Sequence, residues 1–134
     1  MNTNTASLPT ATLPRHPILR RCLVAFLLSI VGLFVFFGIG ETLGEMAGYI
    51  SVAAYCLIAQ FFLSRGHPQA LRQDWPIILC LNFMVVLNAI LNLTLEPGAA
   101  AHPTILISVA TALACSYAGA ALAALIARNR TPAV

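Results

Sequence analysis

The chain has 134 residues, of which 60% are hydrophobic and 8% charged. Soluble domains carry about 25% charged residues, so this composition indicates a membrane chain with little left over for a second folded unit or for soluble catalytic machinery. The net charge of +3 comes from seven arginines against four acids, with no lysine; so small a balance without a clustered basic face argues against nucleic acid as a partner.

Residues 1–14 are rich in Thr, Asn, Ala, Ser and Pro, show no apolar period, and are expected to form a disordered tail. Arg15, Arg20 and Arg21 come next, then an uncharged run over residues 22–40, the first expected span. A secretory signal peptide has the same basic-then-apolar order. This run is longer than a typical h-region of ~7 to 15 residues, however, and no small-x-small cleavage site follows it.

Gly40 to Glu45 is a turn candidate, with a second span at about residues 46–64. A connection this short makes an antiparallel hairpin. Gly40, Gly44 and Gly48 have the small-xxx-small spacing of close helix contacts, yet they straddle the turn, and a tight reversal accounts for them more simply. Arg65 to Gln73 reads as a polar loop.

Asp74-Trp75-Pro76 reads as a helix start: Asp can cap the first amides, Pro is tolerated in a first turn, and Trp favours a membrane boundary. Residues 76–95 carry no charge and, at ~1.5 Å each, cross the ~30 Å of a hydrocarbon core. Asn82, Asn88 and Asn92 lie inside this third span. An amide facing lipid tails is costly, so each should face another helix. Asn88 and Asn92 share a face, whereas Asn82 points roughly 80 to 120° away, so this helix should touch two different neighbours.

Glu96 to Pro103 is the next break, with Pro97-Gly98 as turn chemistry and Pro103 placed to open a helix. The fourth span covers about residues 104–127, followed by Arg128, Asn129 and Arg130 and a frayed tail at 131–134. Its small face, Thr111, Cys115, Ala118 and Gly119, is expected to meet another helix in this chain or in a second copy. Leu106, Val109, Leu113 and Tyr117 form a bulky stripe opposite. Ala25, Ser29 and Gly32 give the first span a shorter small stripe.

The fold class that follows is an all-α four-helix membrane bundle of two antiparallel hairpins within residues 15–130. All seven arginines fall on one side, and Glu41, Glu45 and Glu96 fall on the other. The positive-inside rule then puts both termini in the cytoplasm. Counting ~1.5 Å per residue from the outer boundary places Gln60, Asn82 and Tyr117 near ~20 Å. Tyr55, Asn88 and Thr111 come out at roughly 10 to 14 Å, so two polar layers are expected in the bundle core. Polar groups of this kind act as interhelical glue worth ~0.6 kcal/mol each, or line a path. No ionisable residue lies within the central spans to carry a proton.

Glu41 and Glu45 are four residues apart on the outer side, with Glu96 and His102 on the other outer loop. They form a possible outer interaction face; outer loops also carry acids simply because they exclude arginine. Cys22, Cys56, Cys80 and Cys115 fall one per span without C-x-x-C spacing, and His16, His67 and His102 are scattered over loops. No catalytic set, cofactor motif or metal-ligand spacing is present, and Asn92-Leu93-Thr94 falls in the bilayer rather than at a glycosylation site. The chain therefore reads as a non-enzyme.

Ala59-Gln60-Phe61-Phe62-Leu63-Ser64-Arg65-Gly66-His67-Pro68, with Arg72 beyond, resembles an uncharacterised family of small four-span bacterial inner-membrane proteins, with Pro68 one position early. The resemblance covers about 15 residues and implies a four-helix architecture in a bacterial inner membrane. In size, span number and absence of catalytic residues the chain is also similar to immunity proteins that neutralise pore-forming toxins. A partner role, binding another membrane protein through helix faces, is therefore expected, with the lipid bilayer as surroundings and a homo-oligomer open. The alternative is a small proton-coupled transporter or flippase. Small multidrug exporters are similar in length and helix number but carry a membrane-embedded glutamate in the first helix, which Glu41 at the outer edge would match only if displaced.

Overall fold

The computed structural model describes residues 17–95, 98 and 103–130. The two expected tails, together with Arg15, His16, Glu96 and His102, lie outside the described residues. Helix α1 covers Pro17–Leu43, α2 Glu45–Ser64, α3 Ala70–Gln73, α4 Trp75–Leu95 and α5 Pro103–Arg130. All but α3 are long and apolar enough to cross a membrane.

Helices α1 and α5 outrun the expected spans, at 27 and 28 residues or about 40 Å each. Prolines open both, at a position where the absent N–H is not missed. The charged residues used to end the spans, Arg20, Arg21, Arg128 and Arg130, continue the helices, because charge limits burial in lipid and not helix formation. The reversal between α1 and α2 is a single residue, Gly44, whose φ of 97° suits glycine. Gly40 and Gly48 meet across it: a Cβ on Gly48 would sit 3.2 Å from Gly40 Cα. Turn and close contact are therefore both present in the glycine series.

The polar loop contains an unexpected short helix. Ala70 in α3 is fully buried and joins Ile78, Ala120 and Ala124 in one cluster. One alanine between Gln69 and Leu71 leaves no periodic signal, which is why the sequence reads as loop. Asp74 links α3 to α4 through its backbone, its N–H donating to Ala70 O at 2.9 Å and its C=O accepting from Ile78 N at 3.0 Å.

Around the bundle the long helices follow the order α1, α2, α5, α4, and the α2–α5 contact is the most extensive. Helices α2 and α5 run parallel, with Val52 and Cys56 against Ala112 and Leu57 against Gly119. Helices α1 and α4 also run parallel, and these two pairs point in opposite directions. One end of the bundle thus carries Arg20, Arg21, Arg65, Arg72, Arg128 and Arg130, and the opposite end carries Glu41 and Glu45. We call these the arginine end and the glutamate end.

The packing is the reverse of a soluble core. Large apolar side chains such as Leu23, Phe34, Ile50, Phe62 and Leu106 cover the outside, while many buried positions hold small or polar residues: Ala25, Ser29, Ala112, Ser116 and Ala120. Small residues let helix backbones approach, which is how helices associate when lipid surrounds them. The small stripe of α1, Ala25-Ser29-Gly32, is its buried face. On α5 the packed face differs from the expected one. Ala112, Ser116, Gly119, Ala120, Ala123 and Ala124 are buried, whereas Thr111 and Ala118 are exposed. Small residues occupy more than one face of α5, Ala112, Ser116 and Ala120 as well as Thr111, Cys115 and Ala118, so its small-residue pattern fits more than one rotation.

Candidate functional site

Two polar regions occupy the interior, one toward each end. Near the arginine end, α1 brings Arg21 beside the start of α4, where Nη1 donates to Asp74 Oδ1 at 3.0 Å and Nη2 to Asp74 Oδ2 at 2.7 Å. Arg21 Nε also donates to the Leu63 carbonyl at 3.1 Å, so one guanidinium ties α1 to both α2 and α4. Its planar fork matches a carboxylate in a way an ammonium cannot. Asp74 is 2% exposed and Arg21 19%. Ser64 Oγ donates to Asp74 Oδ2 at 2.7 Å, and Gln60 Nε2 donates to Ser64 Oγ at 2.8 Å. The chain Gln60–Ser64–Asp74–Arg21 thus crosses three helices, and it ends in Gln60 Oε1, a buried acceptor with no hydrogen-bond partner among the described residues.

The Asp74 carboxylate thereby differs from its expected role. Its side chain pairs with Arg21 and Ser64 instead of capping the α4 amides. Sequence reasoning missed Arg21, Ser64 and Asp74 as a set. The available signal was that Asp74 is the one acid in an otherwise arginine-bearing flank, and a lone carboxylate at a helix end beside arginines needs a cation.

One to two turns further in, Asn82 Nδ2 donates to Ser116 Oγ on α5 and to the Ile78 carbonyl, both at 2.8 Å. Ser116 Oγ donates to the Ala112 carbonyl at 2.9 Å, and Cys56 Sγ of α2 lies 3.7 Å from Asn82 Oδ1. Asn82 is 1% exposed and fully engaged. Ser29 Oγ of α1 accepts from the Met84 N–H of α4 at 2.9 Å.

Toward the glutamate end the picture changes. All four long helices line a cleft of about 50 Å³, with Asn88, Asn92, Tyr49 and Ser108 as polar lining and Gly32 and Phe36 among its apolar wall. Asn88 is half-buried and Asn92 exposed, and neither side chain has a hydrogen-bond partner among the described residues. Asn82 and the pair Asn88/Asn92 therefore point at different surroundings, Asn82 at α5 and α2, the pair at this cleft.

Of the other sequence candidates, Gln60 and Asn82 belong to the interior. Tyr55 lies over Gly32 and donates to the Leu28 carbonyl at 2.8 Å, joining α2 to α1. Tyr117 departs from the expected core position: it is 44% exposed, on the outer face of α5, since the helix is rotated to bury Ser116 instead. Glu41 and Glu45 are both exposed, Glu41 in the last turn of α1 and Glu45 in the first turn of α2. Gly119 is packed so tightly that a Cβ there would collide with the Leu57 carbonyl oxygen. Among the described residues the four cysteines are free, and no three His, Cys, Asp or Glu side chains converge as metal ligands.

Comparison with protein-family models, with curated proteins and with solved structures finds no match to this chain.

Proposed function

We propose that this chain is a non-enzymatic, multi-pass protein of a bacterial inner membrane, with its arginine end in the cytoplasm, that acts by binding another membrane protein at its outer cleft. The observation that carries the reading is the pair Asn88 and Asn92, two amides in a cleft of all four helices without a partner among the described residues. An amide in low dielectric gains from any donor or acceptor brought to it. The size of the cleft decides between classes of ligand. Sites for drug-sized molecules run ~300 to 1,000 Å³. Room of about 50 Å³ suits one polar side chain projecting from a partner's helix. Neutralising a membrane-targeting toxin by such an embrace is one form this activity takes.

A second reading, small-solute transport, draws on one observation: the unpartnered Gln60 Oε1 and the Arg21–Asp74 pair lie deeper in the bundle than the cleft, as a closed inner barrier would.

A photoreactive phenylalanine analogue at position 88 or 92 tests the first reading in living cells. The expected result is a discrete adduct with one membrane protein, identified by mass spectrometry and absent when the analogue replaces exposed Leu79. Adducts with lipid only, or equal yields at all three positions, overturn it. Proton-dependent solute movement in vesicles that is lost in Glu41→Gln or Glu45→Gln instead establishes transport.

A further inference from the structure

Where α2 and α5 end together, they leave a groove of about 400 Å³ at the arginine end. Its origin is in the sequence. The two parallel helices are clamped at Gly119 against Leu57. Beyond that clamp α5 presents Ala123, Ile126 and Ala127 to Phe61 and Phe62 of α2, and the alanines are too small to fill the space. Helix α2 then stops, and Gly66, at φ 83°, turns the chain away toward α3. Arg65 and Arg130, the residues at the two helix ends, stand over the groove.

The charge at this mouth has no counterpart in the described protein. Glu41 and Glu45 are at the opposite end, and the Asp74 carboxylate is buried under Arg21. Two C-terminal helix ends also meet here, and their partial negative charge makes the backbone a poor host for an anion. Any anion at this place must be held by the guanidinium groups, which favour phosphate geometry. The walls below are apolar and continuous with the outer surface of the bundle through Phe62, which is 62% exposed.

An occupant must therefore be anionic at one end and apolar along its length. We propose that this groove binds an anionic glycerophospholipid, with its phosphate between Arg65 and Arg130 and one acyl chain laid along Phe61 and Ala127. This rests on the reading of the chain as membrane-spanning. A basic pocket between helix ends at the cytoplasmic boundary is the form that lipid headgroup sites take.

The test uses the full chain purified in detergent, titrated with dioleoyl phosphatidylglycerol or dioleoyl phosphatidylcholine and read by native mass spectrometry. The anionic lipid should bind about tenfold more tightly than the zwitterionic one. The doubly substituted chain, Arg65→Gln with Arg130→Gln, should lose that preference. Ala127→Phe should weaken the anionic lipid comparably, since it fills the groove without changing charge. Arg20→Gln, at the same end but outside the groove, should stay within about twofold of the parent. Equal binding of the two lipids by the parent chain overturns the proposal, as does an equal loss in Arg20→Gln, an unaffected Ala127→Phe, or displacement of the lipid by inorganic phosphate alone. If the doubly substituted chain fails to fold, the parent's lipid preference and Ala127→Phe still decide. Release of the protein from membranes by alkaline carbonate would sink the membrane reading; a carbonate-resistant protein with no lipid preference sinks only this inference.

Discussion

Asn82 and Asn88 sit on the same helix, less than two turns apart, and have opposite fates. Asn82 is 1% exposed and spends its amide on Ser116 and Ile78, whereas Asn88 lines a cleft with no hydrogen-bond partner for its amide among the described residues. The difference lies in the neighbours. Opposite Asn82 stand Ala112, Ser116 and Ala120, small enough to bring α5 close. Around Asn88 the rings of Phe36 and Tyr49, with centroids 5.2 Å apart, take up the space between helices. Among the described residues, one half of the bundle is thus closed by hydrogen bonds and an ion pair, and the other keeps a cleft beside bulky rings. Identical side chains are taken up between helices or left lining a cleft according to the bulk of what faces them.

The largest expected effect tests the closed half. Asp74→Ala leaves Arg21 largely buried without its carboxylate and should destabilise the bundle by about 3–5 kcal/mol, measured by thermal unfolding in detergent micelles. Arg21→Met combined with Asp74→Leu should recover much of that loss, because replacing a buried pair by apolar groups removes the desolvation cost along with the attraction. A double variant as unstable as Asp74→Ala would mean that the Leu63 and Ser64 contacts, and not the ion pair, hold this end. An intermediate effect is expected at Asn82→Leu, about 0.6 to 1.7 kcal/mol, since Ser116 keeps its bond to the Ala112 carbonyl. The smallest is expected at Asn88→Leu: stability within about 0.5 kcal/mol of the parent in the same micelles, with loss of the partner adduct from position 92. A large loss of stability there would place Asn88 in the fold itself and remove the contrast between the two halves.

The outline of the fold was legible in the chain because each long element is one contiguous apolar run. Four uncharged runs of sufficient length, separated by Pro, Gly and charge, name four helices, and the small stripe Ala25-Ser29-Gly32 even names the packed face of α1. That stripe stood out because bulky residues flank it. Helix α5 carries small residues on more than one face, and its packed face, with Ser116 inside and Tyr117 outside, emerged only in the packed bundle. Short polar signals were ambiguous for the same reason: Ala70 shows its burial only through Ile78, Ala120 and Ala124.

By itself the sequence determined the number and type of the long elements, a hairpin turn somewhere within Gly40 to Glu45 and the segregation of arginine from glutamate, all properties of contiguous stretches. Tertiary structure alone decided that Arg21 meets Asp74 across 53 positions, that Gly119 closes on Leu57, and that Asn82 is engaged while Asn88 has no partner among the described residues. These depend on the rotation and register of one helix against another. Where both the outside and the inside of a bundle are apolar, hydrophobic periodicity carries little record of either.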